Sequence, residues 1–243
     1  MRHLSVLILA FISVTIFAQS NDIRDRFFLG TASSFYIDFA TTPLSSTRLR
    51  VGAEPDPNDP TKTIDKFADV PTQSQYISYF SFGLEPRFNI KEFSDDLAFA
   101  VSAPLTIGFG QSFAANESVN GIDGFGSVQL PVMAKLYLGT GSTYETNQEF
   151  GLNVGGGIEL NKIGIINIGG SLEESNARTS WVMPVVAGGV HFWRGASPME
   201  VNLKYGFGKK ESYNYDKYGQ PLTIPRITRA SSIKLTFIYL LNY

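Results

Sequence analysis

The sequence predicts an all-β fold: an up-and-down antiparallel transmembrane β-barrel of about eight strands, or ten if the first long loop forms a hairpin. Three observations favour it. Successive segments alternate between apolar and small or polar residues, the connections between them alternate between long and short, and aromatic residues gather at the segment ends. Alternating segments of about ten residues separated by turns are typical of membrane barrels.

The composition limits the kinds of function open to the chain. It has 243 residues, a net charge of −2 and no cysteine. The balanced charge gives no electrostatic footprint for nucleic acid. Without cysteine there is no disulfide framework, no cysteine metal site and no lipid-modified N-terminal cysteine. We therefore expect neither nucleic acid nor a cofactor as a partner.

The first residues resemble a secretory signal peptide. Arg2 and His3 give a basic start, residues 4–17 are almost entirely apolar, and Ala18-Gln19-Ser20 supplies small residues for cleavage. A membrane anchor is the alternative, but a spanning helix needs about 20 apolar residues, whereas a signal core needs about 7–15. The sequence predicts a signal peptide over residues 1–20, cleaved near Ala18–Ser20, and a barrel domain over 21–243.

Eight segments of the mature chain show the two-residue period of a strand. In the second segment, for example, Phe82 and Leu84 alternate with Gly83 and Glu85. The last segment is less regular, because apolar residues also occur on its polar face. The segments are residues 27–39, 76–90, 97–109, 125–138, 149–160, 180–193, 200–208 and 232–243.

The connections distinguish a membrane barrel from a soluble β-sandwich, which also alternates. The long ones are 40–75, 110–124, 161–179 and 209–225, and the short ones are 91–96, 139–148 and 194–199. Outer-membrane barrels have short periplasmic turns and long external loops. We therefore expect periplasmic termini and external long loops.

Aromatic residues and small residues support the same fold. Small residues suit the interior of a narrow barrel, whereas glycine on a water-facing strand weakens it for no gain. Aromatic rings are favoured at both membrane interfaces. The periplasmic set is Phe27, Phe88, Phe93, Trp193 and Tyr243, and the opposite set is Phe39, Tyr79, Phe113, Phe125, Trp181 and Phe207.

Charged residues on the inward face form the first candidate site. Opposed charges in a narrow lumen must pair, or each costs several kcal/mol. We predict a salt-bridge network that fills the barrel, although a charged constriction of a narrow pore stays open as the alternative. A water-wide channel past Glu85 and Arg87 would contradict the network. Its predicted members are Glu85, Arg87, Lys135, Glu149, Glu200, Lys204 and Lys234.

The mature chain resembles the small outer-membrane β-barrel families and is similar in architecture to OmpX and the OmpA transmembrane domain. In its sequence patterns it resembles the Bacteroidota PorT-like group of outer-membrane β-barrel proteins. The residues that carry the resemblance are Phe17-Ala18-Gln19, Ser102-Ala103-Pro104-Leu105, Gln129-Leu130-Pro131-Val132 and the terminal strand over residues 235–243. The resemblance implies a location in the outer membrane, among its lipid. It also implies a C-terminal signal for the barrel-assembly machinery, carried by Phe237, Tyr239, Leu241 and Tyr243.

Catalysis and metal binding are poorly supported. The resemblance implies that an enzyme of this class would rely on a histidine near the external rim of the barrel. The sequence has two histidines: His191 lies beside a predicted periplasmic turn, and His3 belongs to the predicted signal peptide. No serine or carboxylate is placed to form an external triad with His191. Asp56, Asn58 and Asp59 could offer oxygens to calcium, but three prolines and no glycine favour a stiff loop. We expect no enzyme activity, cofactor or metal.

The external loops are the second candidate site. The loop over 209–225 contains Tyr213, Tyr215 and Tyr218, and tyrosine supplies amphipathic contact area for recognition. We favour a non-enzymatic envelope anchor that presents loops to a partner, including as an accessory subunit of a larger secretion or uptake assembly. The alternatives are a narrow channel for small solutes or apolar molecules and, less favoured, a lipid-modifying enzyme.

Overall fold

A computed structural model describes residues 25–116, 119–167, 179–195 and 197–243. The predicted signal peptide over 1–20 and its cleavage point lie outside these residues. Within them, no helix is long and apolar enough to span a bilayer. The regular structure is twelve strands: β1 Phe27–Phe35, β2 Asp38–Thr41, β3 Ser45–Asp56, β4 Asp59–Thr72, β5 Ser74–Ser94, β6 Leu97–Ser102, β7 Leu105–Ala114, β8 Gly124–Gly139, β9 Phe150–Asn167, β10 Ser180–Arg194, β11 Ser197–Tyr215 and β12 Pro221–Leu240.

Ten of these strands form one closed antiparallel ring. The two short strands β1 and β2 lie end to end between β12 and β5, and β6 and β7 lie end to end between β5 and β8. The ring therefore has eight positions, and the first strand closes it by pairing with the last. Closure leaves the sheet no unpaired edge. The predicted all-β antiparallel barrel is confirmed.

The first long connection does form a hairpin, but the hairpin does not enter the ring. Strands β3 and β4 make a separate two-stranded sheet, paired from Ser45 opposite Thr72 to Asp56 opposite Asp59. We call this sheet the first hairpin. The expectation that a hairpin here would widen the barrel to ten strands is therefore wrong.

The last long connection is also mostly strand. Strands β11 and β12 stay paired as far as Tyr215 opposite Pro221, which leaves only residues 216–220 as a turn. We call the part above Phe207 the second hairpin. Both hairpins rise from the end of the barrel opposite the chain termini. We refer to these two ends as the hairpin end and the terminal end.

The outward face of the ring is apolar over most of its height. On β9, Leu152, Val154 and Ile158 point outward and are exposed, whereas Asn153 and Glu159 point inward and are buried. The same alternation holds on β8 and β10, where Leu136 and Val186 are exposed. This exterior lacks charge between Phe150 and Leu160 on β9, so the apolar belt is continuous there.

Two aromatic residues do not occupy the predicted interface positions. Trp181 is buried inside the barrel with Met183, because it shares the inward parity of that strand. Tyr243 lies beyond the end of β12, which stops at Leu240, and it packs against Tyr144 and Phe28 under the ring. The predictions that Trp181 faces lipid and that the last strand runs to the final residue are wrong.

Candidate functional site

A cluster of buried charges fills the lumen near the terminal end. Arg87 pairs with Glu200 at 2.9 Å, and Lys135 pairs with Glu85 at 3.1 Å. Asn202 donates a hydrogen bond to the second oxygen of Glu200 at 3.1 Å. We call the four charged residues the terminal ionic layer. Each is almost completely buried, so each ion depends on its partner for compensation.

Arg87 occupies the centre of this layer. Its guanidinium lies 4.0 Å from the ring centre of Phe28 and 4.2 Å from that of Tyr137. Its Nη2 donates to the carbonyl oxygen of Gly141 at 2.5 Å. A planar cation between two aromatic faces is stabilised by the ring quadrupoles and loses little packing area. Arg87 therefore joins strands β1, β5, β8 and β11 across the lumen.

A second set of charges lies nearer the middle of the barrel. Lys234 pairs with Asp38 at 3.2 Å, and Lys204 pairs with Glu159. Gln129 links the two pairs: its amide nitrogen donates to Asp38 at 2.9 Å, and its oxygen accepts from Lys234 at 3.1 Å and from Lys204 at 3.4 Å. We call the four charged residues the central ionic layer.

The two layers are neutral together. They contain four carboxylates, of Asp38, Glu85, Glu159 and Glu200, and four cations, of Arg87, Lys135, Lys204 and Lys234. A cavity of about 30 Å³ separates them and is lined by residues of both layers. A space of this size suits one or two water molecules. The balanced charge means that the interior needs no counterion.

The structure places six of the seven predicted network residues in these two layers. Glu149 is the exception: it is exposed and precedes the first residue of β9. Because it lies outside the strand, the alternation of the strand does not turn its side chain inward. Sequence analysis did not select Asp38 or Glu159. Both lie on the polar face of their segments, so the same parity rule that found Glu85 could have found them.

His191 is a packed interior residue. Its Nδ1 donates to the carbonyl oxygen of Thr140 at 2.8 Å, and its Nε2 accepts from the amide of Asn153 at 2.5 Å. Both ring nitrogens are therefore engaged. Glu200 lies 3.8 Å away, but no hydroxyl nucleophile occupies the remaining side of the ring among the contacts described. This arrangement supports a structural role.

The connection between β8 and β9, residues 140–149, closes the terminal end. We call it the strap. It was predicted as a short turn, but it folds under the ring with Thr140 and Ser142 fully buried. Its carbonyl groups accept hydrogen bonds from Arg87 and His191 inside the lumen. Gly139 and Gly141 have φ of 74° and 75°, a left-handed conformation that lets the chain reverse here.

Further contacts hold the strap to the turn between β5 and β6. The hydroxyl of Thr146 donates to the Asp96 carboxylate at 2.5 Å, and that of Thr143 donates to the Asp95 carbonyl at 2.5 Å. The hydroxyl of Tyr243 donates to the Thr143 carbonyl at 2.8 Å. The strap is thus bonded to the wall of the barrel and to the C-terminal residue.

Tyr144 anchors the strap through its ring. It stacks on Phe28 with centroids 4.4 Å apart, and its hydroxyl donates to the Phe27 carbonyl at 2.8 Å. Burial raises the pKa of Tyr144 to about 12 from its usual 10.0, so the hydroxyl stays protonated at neutral pH. Its contribution to stability is full below about pH 10 and is lost as the pH rises through about 12.

We expect Tyr144→Ala to lower the free energy of unfolding by about 2 kcal/mol, because a half-buried stacked ring and one hydrogen bond are lost. Protease cleavage within the strap of the folded barrel, followed by mass spectrometry, should accelerate in parallel. Tyr218→Ala on the exposed turn is the matched control and should change neither quantity. Equal behaviour of the two variants would contradict the anchoring role.

The hairpin end is filled by apolar residues and a covering loop. Tyr76, Ile163, Trp181 and Met183 form a buried cluster above the central ionic layer. The loop segment over residues 119–123 lies across the mouth, where Asn120 bonds through its backbone to Gln73 and Pro71. Val119 and Ile122 of this loop are buried, so the loop covers the cluster.

The three predicted recognition tyrosines separate in the structure. Tyr213 and Tyr215 lie on β11 and line a cleft between the two hairpins. Tyr218 lies on the turn of the second hairpin, is 67% exposed and does not line the cleft. The structure therefore brings two of the three together.

The residues of the predicted assembly signal do not share one environment. Phe237, Tyr239 and Leu241 follow the outward parity of β12, and Tyr239 and Leu241 are exposed. Tyr243 instead packs under the ring, 5.3 Å from the Trp193 ring centre. Of the four residues, Tyr243 is therefore the one that does not lie on the outward face, and the assembly signal itself stays a prediction.

The candidate calcium loop is the turn of the first hairpin. Asp56 accepts the backbone N–H of Asn58, and Asp59 accepts from Thr61 and pairs with Lys62. The hydrogen bond from the Thr61 hydroxyl lowers the pKa of Asp59. Over the ranges that the structure describes, no group of three or more His, Cys, Asp or Glu residues could hold a metal ion.

No protein-family model and no curated protein matches the chain. Among solved structures, it is similar to the outer membrane protein OprG from Pseudomonas aeruginosa, with 13% identity, 89% of this chain and 96% of that chain covered, and a TM-score of 0.40. It is also similar to Ail, the attachment invasion locus protein of Yersinia pestis, with 12% identity, coverage of 88% and 99%, and a TM-score of 0.18.

Proposed function

We propose that this chain is an integral outer-membrane barrel that serves as a sealed, non-enzymatic anchor and presents two hairpins to partners outside the cell. The observation that carries the proposal is the filled lumen. The two ionic layers, the strap below them and the loop segment over residues 119–123 above them occupy the interior from end to end. An interior packed in this way supports rigidity and does not favour transport.

The apolar belt supports a membrane location. Between Phe150 and Leu160 the strand advances about 33 Å, at about 3.3 Å per residue. At the usual strand tilt of 35–45°, this length gives a belt about 25 Å tall, which is the height of the apolar band of outer-membrane barrels. A soluble protein would not expose so continuous an apolar surface.

The two ends of the barrel differ in a way that favours one orientation. The terminal end has a tight turn at residues 95–96, a short connection that begins at Gly195, and the buried strap, whereas both hairpins rise at the other end. Outer-membrane barrels keep short connections in the periplasm. The hairpins therefore project from the cell, where they can bind a partner, including a larger assembly of which this chain is an accessory subunit.

The proposal predicts that the purified barrel forms no pore. In planar lipid bilayers at high protein load, we expect no discrete unit conductance, because ions would have to displace paired charges from both layers. An open porin reconstituted in the same way is the positive control. Reproducible unit steps from folded protein would refute the sealed anchor and support the narrow channel.

The native mass in mild detergent identifies the kind of anchor. A particle of one barrel plus its micelle supports a self-sufficient anchor, and a larger particle with a stoichiometric companion supports an accessory subunit.

The narrower resemblance to the Bacteroidota PorT-like group and the absence of enzyme activity stay predictions.

A further inference from the structure

The base of the second hairpin carries cations directly above the apolar belt. Phe207 is the last apolar residue on the outward face of β11, and it lies opposite Ser231 of β12. The next pair on this face along the two strands is Lys210 opposite Arg229. We call Lys210, Arg229 and the neighbouring Lys209 the basic rim.

The register of the two strands turns Lys210 and Arg229 to the same outer face. Arg229 is exposed and precedes the buried Ala230, so it has the outward parity of β12. Residues directly opposite each other in an antiparallel pair share a face, so Lys210 also points outward. A bulge sets this register, because Gly208 and Lys209 together oppose Ala230. All three cations of the basic rim are exposed.

No carboxylate compensates the basic rim within the described part of the chain. There, the side chains of Lys209, Lys210 and Arg229 form no ion pair and no hydrogen bond. Glu211 is the next residue of β11 and therefore faces the other way. Its carboxylate accepts the backbone N–H of Leu44 at 3.0 Å. Like charges directly opposite each other on a sheet are destabilising, so an anion between Lys210 and Arg229 would stabilise the hairpin.

The first hairpin, which is also exposed, has cations with carboxylate partners. Arg50 pairs with Asp65 at 2.7 Å. Lys62 pairs with Asp59 at 3.0 Å. The second hairpin, over residues 208–230, instead has five basic and two acidic residues. The excess of positive charge therefore belongs to the hairpin whose strands continue directly from the wall of the barrel.

The basic rim lies at the height of lipid headgroups. Arg229 lies two residues beyond Ser231, which is about 7 Å along the strand and about 5 Å in height at the usual tilt. The headgroup layer is roughly 5–8 Å thick on each side of the hydrocarbon core. Below the rim, Phe207 stacks on Tyr205 with ring centres 6.2 Å apart, and aromatic rings are typical of the membrane interface. The cations therefore lie where headgroups begin.

Phosphate is the anion that suits these side chains. A guanidinium binds phosphate through two parallel hydrogen bonds, and an ammonium binds it as a point charge. One phosphate between Arg229 and Lys210 contacts both cations and removes their mutual repulsion. Lipid phosphates are concentrated at this height, whereas free phosphate is not. The position of the rim therefore favours a lipid as the source of the anion.

We infer that the basic rim binds the phosphate group of a lipid in the outer leaflet, held between Arg229 and Lys210 and attracted by Lys209. The inference rests on the proposed function, because it requires a membrane-embedded barrel whose hairpins face outward. It deepens that function by assigning a site to a lipid partner. A bound phosphate also stabilises the base of the second hairpin, which the proposed anchor presents.

The first test measures lipid binding to the full barrel in neutral detergent by native mass spectrometry, with diphosphoryl lipid A and dephosphorylated lipid A as probes. We expect Lys210→Gln combined with Arg229→Gln to weaken binding of diphosphoryl lipid A at least about tenfold, since each cation near an anionic headgroup contributes several-fold. Salt should weaken binding to the unmodified barrel. Arg50→Gln combined with Lys62→Gln removes two cations from the first hairpin and is the matched control, with a change below about twofold expected.

The second test shows that the rim variant is folded. In vesicles of phosphatidylcholine alone, the Lys210→Gln and Arg229→Gln double variant should unfold at a urea concentration at least as high as the unmodified barrel, because the repulsion is removed. Addition of diphosphoryl lipid A to the vesicles should raise the midpoint of the unmodified barrel more than that of the variant.

The outcomes separate this inference from the proposed function. Selective, salt-sensitive binding that is lost in the rim variant and kept in the control supports the site. Equal binding of dephosphorylated lipid A, or equal loss in the control, overturns it. Displacement by inorganic phosphate or by polyglutamate at an equal concentration overturns the assignment to a lipid. A barrel that inserts into phosphatidylcholine vesicles without any preference for phosphate refutes the inference alone, whereas failure to insert into any vesicle refutes the membrane anchor.

Discussion

Replacing Arg87 with methionine is expected to lower the free energy of unfolding by about 3–5 kcal/mol, because Glu200 is left as a buried, unpaired charge. Methionine keeps much of the packing between Phe28 and Tyr137, so the loss reports mainly the charge. The measurement is urea unfolding of the barrel in lipid vesicles, followed by the fluorescence of Trp181 and Trp193.

Two further variants show whether the loss of stability in Arg87→Met comes from the unpaired charge. Arg87→Met combined with Glu200→Met should recover most of the loss, since an apolar pair can replace a buried ion pair at little cost. Arg194→Met, at an exposed site at the end of β10, should be neutral. If Arg87→Met costs less than about 1 kcal/mol, the pair behaves as a surface ion pair and the terminal ionic layer is not closed to water.

Placing arginine at Val154 should destabilise the barrel by about 2–4 kcal/mol, the usual cost of a cation at the bilayer midplane on a lipid-facing strand. Val154 points outward, is 64% exposed and lies near the middle of the apolar belt. Unfolding in vesicles of defined thickness measures the cost. The experiment tests the membrane location without reference to the lumen.

Thr63→Arg is the control for Val154→Arg. Thr63 is exposed on the first hairpin, beyond the belt, so the same substitution should cost almost nothing there. Equal stability of the two variants would mean that the belt does not face lipid. The proposed location in a membrane would then be wrong.

The barrel was predictable because its strands obey one simple rule. Alternation assigns each side chain to a face without knowledge of which strands pair, so Glu85 and Glu200 could be placed inside from local sequence alone. The ion-pair partners of these residues were harder to predict, because they depend on the register between strands that are distant in sequence. Arg87 contacts Glu200 across 113 residues, and nothing local specifies that pairing.

The wrong predictions concern residues at which the alternation of apolar and polar side chains stops. Glu149 has inward parity but lies outside a strand, and the strap follows no period that would show it folding inward. Its contacts are made by backbone carbonyls and threonine hydroxyls, which carry no distinctive pattern. The hydrophobic positions Ile238 and Leu240 did carry a signal: they interrupt a polar face because they pack on Phe28 beneath the ionic layer.

The strap also bears on the order of assembly. It contacts the first strand through Phe28, the last residue through Tyr243 and the middle of the chain through Arg87. These groups converge only after the first and last strands have joined. We therefore expect a growing barrel to leak solutes until its final strand docks, and the seating of Tyr144 to mark the moment at which the membrane becomes tight again.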